Sequence, residues 1–248
     1  MDQTKFSTIA HKQHQFYNPI RADKVDQIID LLNLNEASRV LDVGAGKGEI
    51  LFRLIHKYGA SCTAIERTAA FADQCRKEAE NKGMLSRLTI YENDAKEILP
   101  TLSPSYNAAV CIGASHAIGT YKDTLNTLSG LVIKGGYVLV GEGFWAKKPN
   151  PAYLSFLGAE EQELLSHSEN VLFGDDYGLT PIWSVVSSQD EWDAYEWLYS
   201  KSIEDYCYYH PEDTDCPEML AKIKEWRKHY LQYGRETLGF ALYLFRKQ

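Results

Sequence analysis

Residues 40–49, which read VLDVGAGKGE, constrain the fold of this chain more than any other segment. A short apolar run leads into three glycines at alternate positions, and apolar residues then recur at helical spacing in Ile50, Leu51 and Leu54. Short, mostly apolar runs are typical of buried parallel strands, and glycine permits tight turns that other residues resist. The segment therefore predicts a strand, a tight turn that can approach a ligand closely, and a helix.

The same alternation of apolar runs and helical patterns continues to about residue 140. The apolar runs lie at 39–43, 61–66, 88–91, 107–112 and 137–140. Each step between parallel strands needs a crossover connection, which is usually a helix. The rhythm therefore predicts a doubly wound α/β fold, with helices on both faces of a mostly parallel sheet.

After residue 145 the regular alternation of apolar runs and helical patterns ends. Two further strands are predicted at 179–187 and 239–245, and residues 188–237 between them combine Trp, Tyr and acidic residues in a helical pattern. A connection of this length is uncommon in a compact domain. We expect it to form either an accessory helical layer or a lid.

Length and charge limit the classes of function. A chain of 248 residues suits one domain, 1–248, that carries an insertion. The formal net charge is −8 and no cluster of Lys and Arg stands out, whereas proteins that grip a phosphate backbone need a basic face, so we expect no nucleic-acid partner. The polar N-terminus and the lack of a long apolar run predict a cytoplasmic protein with no membrane partner. No spacing typical of a metal site occurs.

Carboxylates stand at the ends of three successive predicted strands. Asp42 precedes the first glycine by two residues, Glu66 closes the second strand, and Asp94 follows the third. Taken singly, each acid is equally well explained as a helix cap or a solvated loop residue. Ligands of doubly wound sheets bind beyond these strand ends, so the three acids together favour a cofactor site.

The glycine spacing separates two classes of cofactor. Dinucleotide-binding loops read G-x-G-x-x-G and place a pyrophosphate on the helix N-terminus. Here the pattern is D-x-G-x-G-x-G, and Asp42 would repel a pyrophosphate but could accept hydrogen bonds from the ammonium group of a bound amino acid. S-adenosylmethionine has that ammonium group and no phosphate, so a nicotinamide-dependent dehydrogenase is the weaker hypothesis.

These motifs resemble those of class I S-adenosylmethionine-dependent methyltransferases, and the full-length pattern is similar to a subgroup of small bacterial members. The shared patterns are H-x-x-x-N-P from His14, C-x-G-A from Cys111, G-E-x-x-W from Gly141, W-D-x-Y-E from Trp192 and R-E-x-L-G-F from Arg235. The resemblance implies a Rossmann-like, seven-stranded sheet whose last strand is antiparallel. It would place residues 188–237 over the active site as a helical lid, with residues 1–20 as an N-terminal lid segment.

The resemblance also implies a set of cofactor-binding residues at the carboxyl edge of the sheet. We expect Glu66 to accept hydrogen bonds from the ribose hydroxyls and Asp94 to accept one from the adenine amine. The predicted set is Asp42, Gly44, Ala45, Gly46, Gly48, Glu66, Arg67, Asp94, Ala95, Cys111 and Gly113.

Residues after the fourth and fifth strands are candidates for the chemistry of the methyl acceptor. His116 or Glu142 could remove a proton from it, although His116 could instead bind backbone and Glu142 could form an ion pair within a lid. Trp145, Trp192 and Tyr195 could form an aromatic wall for a cationic acceptor, or pack the lid onto the core.

The remaining expectations concern the N-terminus and the partners. On the resemblance, His14 and Tyr17 close the cofactor site and contribute to the substrate pocket. The expected partner is a small-molecule substrate, and the chain is compatible with a homodimer. A non-catalytic protein that binds S-adenosylmethionine as a sensed ligand is the alternative hypothesis.

Overall fold

A seven-stranded sheet forms the centre of the structure, a computed structural model that describes residues 2–248. The strands are β1 (Arg39–Val43), β2 (Ser61–Ile65), β3 (Leu88–Tyr91), β4 (Tyr106–Ile112), β5 (Val132–Trp145), β6 (Leu179–Val186) and β7 (Leu238–Lys247). Their order is β3-β2-β1-β4-β5-β7-β6. Strands β1 to β5 pair in parallel, whereas β7 lies between β5 and β6 and is antiparallel to both. The predicted fold class, including the antiparallel last strand, is confirmed.

Eleven helical segments connect and cover the strands of the part described. They are α1 (Gln3–Ala10), α2 (Ala22–Ile29), α3 (Glu49–Tyr58), α4 (Ala69–Asn81), α5 (Ala95–Ile98), α6 (Tyr121–Leu131), α7 (Pro151–Leu157), α8 (His167–Leu172), α9 (Gln189–Tyr209), α10 (Cys216–His229) and α11 (Arg235–Thr237). A single π-helical turn, Tyr230–Gly234, joins α10 to α11. None of the helices among residues 2–248 has the length and apolar character needed to cross a membrane.

Two apolar layers hold the helices on opposite faces of the sheet. On one face, Ile28 of α2 and Leu51 and Leu54 of α3 are fully buried in one core cluster. On the other face, Leu125 and Leu128 of α6 are fully buried in a second cluster. Burial of this kind supplies most of the stabilisation of such a fold, and it fixes the carboxyl ends of β1 to β5 along one edge.

The helical insertion, residues 188–237, has a core of its own. Phe6 of α1 packs there with Ile203 of α9 and with Met219 and Ile223 of α10. The first helix therefore packs on the insertion, and the chain between α1 and α2 must pass along the carboxyl edge of the sheet to reach the core.

The structure also revises the region after β5. The sequence predicts a strand at 137–140, but β5 continues to Trp145 because it pairs with β7 from Tyr137↔Arg246 to Trp145↔Leu238. Residues 146–178 then form α7, α8 and short turns before β6 begins. This stretch carries no simple periodicity, since its helices are short and half exposed.

Candidate active site

The glycine loop after β1 has the backbone geometry that its sequence predicts. Gly44, Gly46 and Gly48 have φ angles of +73°, +55° and +85°, which side-chain-bearing residues adopt only with strain. A Cβ atom at Gly44 would lie 2.3 Å from the Cβ of Ala114. The loops after β1 and β4 therefore touch, and only glycine allows this contact.

Glu66 fixes the position of the glycine loop. Its carboxylate is 8% exposed; Oε2 accepts a hydrogen bond from the Gly46 amide at 2.9 Å and Oε1 accepts one from the Thr68 amide at 2.7 Å. One carboxylate thus joins the loop after β1 to the start of α4. The sequence places Glu66 at the end of β2 but contains no signal for these two bonds.

Asp42 provides negative charge beneath the same loop. Its side chain is 3% exposed, and burial together with the charge of Glu66 raises its pKa to about 8. A buried carboxyl with so high a pKa is a site where a bound cation would be favourable, because the cation offsets the loss of hydration.

A cavity of about 280 Å³ opens between the glycine loop and the ends of β2, β3 and β4. Among its lining residues are seven of the predicted cofactor-binding residues: Gly44, Gly46, Glu66, Arg67, Asp94, Ala95 and Gly113. A smaller pocket of about 60 Å³, which shares Gly44 and Gly46 with it, is lined by Asp42 and Ala45. The structure therefore brings nine of the eleven predicted residues to one place.

The two other predicted residues lie outside this cavity. Cys111 is fully buried in the apolar cluster on one face of the sheet, and burial raises the pKa of its thiol. Gly48 is the residue before α3, where a Cβ atom would lie 2.5 Å from the Cys75 sulfur. Both support the loops that contact the cavity and do not line it.

Asp94 caps a helix, one of the interpretations that its sequence position left open, and it also borders the cavity. Its Oδ1 accepts a hydrogen bond from the Lys96 amide at 2.9 Å and so caps α5. Its Oδ2 lies 3.8 Å from a guanidinium nitrogen of Arg67, whose side chain is 70% exposed. The carboxylate borders the cavity with one oxygen engaged in the cap and the other turned to the exposed guanidinium of Arg67.

A second cavity, of about 580 Å³, lies on the other side of the loop after β4. Gly113 and His116 line both cavities. Glu142 lines the second, accepting hydrogen bonds from the Ser115 hydroxyl and, at 3.0 Å, from the Gly143 amide. Burial raises the pKa of Glu142 above that of an exposed glutamate, while the bonds from Ser115 and Gly143 oppose this shift.

The tryptophans predicted for an aromatic wall do not line the second cavity. The Trp145 indole donates a hydrogen bond to the Glu161 carbonyl at 2.8 Å, and Trp192 packs against the core cluster that holds α2 and α3. Packing onto the core, the alternative left open by the sequence, describes Trp192, whereas Trp145 is held by its hydrogen bond. The wall of this cavity includes Leu164 and Leu165, from the stretch between β5 and β6, and not the helical insertion.

Residues 11–20, named here the covering segment, lie between the glycine loop and the insertion. The buried His14 shares a 3.0 Å hydrogen bond between its Nε2 and the Tyr195 carbonyl, and Lys47 of the glycine loop donates to the His14 carbonyl. The Tyr195 hydroxyl lies 3.0 Å from His11 Nε2 and 3.2 Å from the Tyr17 carbonyl. The insertion therefore reaches the cofactor cavity through the covering segment.

Asn18 and Phe71 are among the residues of the 280 Å³ cavity that sequence reasoning missed. Asn18 lines it, and its side-chain amide lies 3.4 Å from the Ile112 carbonyl, so it joins the covering segment to the end of β4. Phe71 also lines it, with its ring centroid 4.8 Å from that of Tyr17. Asn18 belongs to the H-x-x-x-N-P pattern, which could have identified it; nothing in the sequence separates Phe71 from a core residue of α4.

Comparison with known proteins decides the family. Residues 5–150 match the family model described as mycolic acid cyclopropane synthetase. The chain belongs to this family. It is an S-adenosylmethionine-dependent methyltransferase, as its motifs predict.

Solved structures support this assignment over the full length. A methyltransferase from Thiobacillus denitrificans, solved with S-adenosylhomocysteine, is 27% identical with a TM-score of 0.88 and covers 100% of both chains. A second from Geobacter sulfurreducens, also with S-adenosylhomocysteine, is 27% identical with a TM-score of 0.89 over 98% of both. The uncharacterized protein YjhP of Escherichia coli is 26% identical over 245 residues, 98% of each chain.

The two bonds of Glu66 predict its contribution to the stability of the ligand-free methyltransferase. Glu66→Ala leaves two amides without their acceptor and should lower the free energy of unfolding by about 2 kcal/mol. Glu66→Gln keeps one acceptor oxygen and should cost about half as much. Urea denaturation measures both. The control is Glu80→Ala at an exposed position of α4, which should change the free energy of unfolding by less than about 0.5 kcal/mol. An equally small change in Glu66→Ala would contradict the role of Glu66 in holding the glycine loop.

Proposed function

We propose that this methyltransferase transfers the methyl group of S-adenosylmethionine, bound in the 280 Å³ cavity, to a small molecule bound in the 580 Å³ cavity. The observation that carries the proposal is their shared wall: Gly113 and His116 line both. Methyl transfer is an in-line displacement, so much of its acceleration comes from holding the nucleophile close and aligned. Two adjoining cavities separated by one short loop suit that requirement.

The residues of the first cavity and of the adjoining 60 Å³ pocket fit the chemical groups of S-adenosylmethionine. Asp42, buried and close to a second carboxylate, suits the ammonium group of the methionine portion. Each oxygen of Glu66 keeps a lone pair beyond its backbone bond, which can accept from a ribose hydroxyl. Asp94, at the end of β3, can accept from the adenine amine. When bound, the cofactor supplies a methyl group on a positively charged sulfur.

Glu142 and His116 are proposed to handle the proton of the acceptor. Glu142 lines the second cavity and its raised pKa favours uptake of a proton from a nucleophile. The Ser115 hydroxyl and the Gly143 amide hold its two oxygens, so the carboxylate presents a fixed direction to the acceptor. His116 is exposed and borders both cavities, which suits transfer of that proton to solvent.

The covering segment is proposed to close the first cavity, with the helical insertion holding it in place. Tyr17 and Asn18 line that cavity, and Tyr195 of α9 contacts the segment at His11, His14 and Tyr17. Exclusion of water strengthens the electrostatic interactions inside a methyl-transfer site. The lid therefore consists of two layers, and only the inner layer borders the cofactor.

The test of the overall proposal follows the methyl group itself. The enzyme is incubated with methyl-labelled S-adenosylmethionine and a metabolite extract, and the products are separated by size. Label should appear among the small molecules together with an equal amount of S-adenosylhomocysteine, and Asp42→Ala should abolish both. Label found only in protein or nucleic acid would contradict the small-molecule acceptor.

The state of Asp42 predicts how cofactor affinity varies with pH. At pH 7 the carboxyl is mostly protonated, since its pKa is about 8. An ammonium ligand favours the carboxylate and displaces the proton. Affinity for S-adenosylhomocysteine should therefore rise by up to about tenfold per pH unit between roughly pH 5.5 and 7.5. His11, whose pKa burial lowers to about 4, stays neutral over that range.

Isothermal titration calorimetry in two buffers of different ionisation enthalpy measures both the affinity and the released proton. Asp42→Asn cannot lose a proton, so its binding should be weaker and should not change with pH over this range. If the affinity for S-adenosylhomocysteine changes with pH equally in the wild-type enzyme and in Asp42→Asn, then Asp42 is not the group that binds the ammonium.

The outer layer of the lid predicts an effect on ligand release. Tyr195→Phe removes the hydroxyl between His11 and Tyr17 while it keeps the ring, so the covering segment should open more readily. Loss of about 1 kcal/mol would raise the dissociation rate of S-adenosylhomocysteine about fivefold. Stopped-flow displacement measures this rate. Tyr199→Phe is the matched control, because Tyr199 lies one turn further along α9 with its ring against His11 and makes none of these hydrogen bonds. Equal dissociation rates in the two variants would argue against a role of the Tyr195 hydroxyl in holding the covering segment.

A further inference from the structure

The charges of the second cavity are unbalanced. Three carboxylates line it, from Glu142, Glu160 and Glu163, against a single lysine, Lys122. No ion pair joins any of the three to a Lys, Arg or His of residues 2–248. The ammonium nitrogen of Lys122 instead lies 3.7 Å from the ring centroid of Phe173. The cavity therefore holds negative charge that the protein itself does not neutralise.

The three carboxylates of the second cavity differ in their exposure to solvent. Glu142 is half-buried at the end of β5, and its two oxygens are held by the Ser115 hydroxyl and the Gly143 amide. Glu160 and Glu163 are exposed at the opposite wall, in a short turn where each side chain accepts from the backbone amide of the other residue. The exposed pair can attract a cation from solvent, while Glu142 can bind it away from water.

Part of the remaining wall is apolar, beside the polar side chains of Ser115, His116, Thr120 and Gln162. Leu164 and Leu165 line the cavity beside Tyr121, whose hydroxyl is engaged with the Asn170 carbonyl at 2.7 Å. These side chains offer apolar surface without a free hydrogen-bonding group. A ligand complementary to the carboxylates and to this apolar part of the wall carries a positive charge at one end and an apolar body.

We propose that the methyl acceptor is an amine that is protonated in solution and carries an apolar body, with its nitrogen at Glu142. This inference rests on the proposed function, because it assigns the acceptor of the same cavity. An anionic acceptor would meet three like charges, and a neutral alcohol would not offset the partial burial of the Glu142 carboxylate. Protonated amines satisfy both conditions.

The proton balance of the reaction agrees with this assignment. The bound ammonium, R–NH3+, transfers one proton to the Glu142 carboxylate and becomes R–NH2. The nitrogen lone pair then forms a bond to the methyl carbon as the carbon–sulfur bond breaks, and the bonding electrons remain on sulfur as a neutral thioether. The product is R–NH2–CH3+, and the proton on Glu142 passes to solvent, so the net reaction releases one proton.

The experiment compares three probes of one shape and different charge: phenethylamine, 2-phenylethanol and 3-phenylpropanoate. Binding to the enzyme saturated with S-adenosylhomocysteine is measured by calorimetry, and methyl transfer is measured as formation of S-adenosylhomocysteine from S-adenosylmethionine. Phenethylamine should bind at least about tenfold more tightly than either other probe, and it alone should be methylated. Equal or tighter binding of the alcohol or the carboxylate would overturn the proposal.

Variants assign the effect to the cavity. Glu142→Gln should weaken phenethylamine binding about tenfold or more and leave 2-phenylethanol binding unchanged. Glu161→Gln is the matched control, since Glu161 belongs to the same turn as Glu160 but does not line the cavity, and it should bind all probes as the wild-type enzyme does. Wild-type affinity for the amine in Glu142→Gln would also overturn the proposal. If Glu142→Gln does not fold, Glu163→Gln serves in its place. We expect it to lose less of the selectivity for the amine than Glu142→Gln would. Unchanged selectivity in Glu163→Gln would count against the proposal.

The outcomes separate this inference from the proposed function. If S-adenosylhomocysteine does not bind, or no small molecule in the extract is methylated, the proposed function itself fails. If the cofactor binds and an alcohol or acid is methylated, the proposed function stands and the amine assignment alone is wrong.

Discussion

The carboxylate of Glu66 is the interaction on which the cofactor edge of this methyltransferase depends. It accepts from the Gly46 and Thr68 amides and so holds the glycine loop against the start of α4. Burial, and to a smaller extent the charge of Glu66, raises the pKa of Asp42. One side chain at the end of β2 therefore holds the loop in shape and contributes to the electrostatics beneath it, and the same carboxylate retains lone pairs for a ligand.

The position of β7 explains how distant parts of the chain reach this edge. Because β7 lies between β5 and β6, the helical insertion leaves β6 and returns to β7 beside the carboxyl ends of the parallel strands. There it shares an apolar core with α1 and contacts the covering segment through Tyr195. Residues near the N-terminus and the insertion between β6 and β7 thus meet beside this edge of the sheet.

The loop after β4 divides the site into two chemical environments. On one side, Gly113 and His116 border a cavity whose acids suit a cofactor with hydroxyl, amine and ammonium groups. On the other side, the same residues border a larger cavity with Glu142 and an apolar wall. The approach of Gly44 to Ala114 holds this loop against the glycine loop after β1.

The sequence by itself determined the fold class and most of the cofactor cavity, because the carboxyl ends of parallel strands meet at one edge and residues at those ends must converge. Asp42, Glu66 and Asp94 could therefore be placed from their positions alone. Tertiary structure decided which residues line the second cavity. Leu164 and Glu163 enter the second cavity from an irregular stretch, while Trp145 and Trp192, equally suitable by type, turn to other partners. Periodicity reports local structure, whereas contacts between segments far apart in the chain depend on how all the layers pack together.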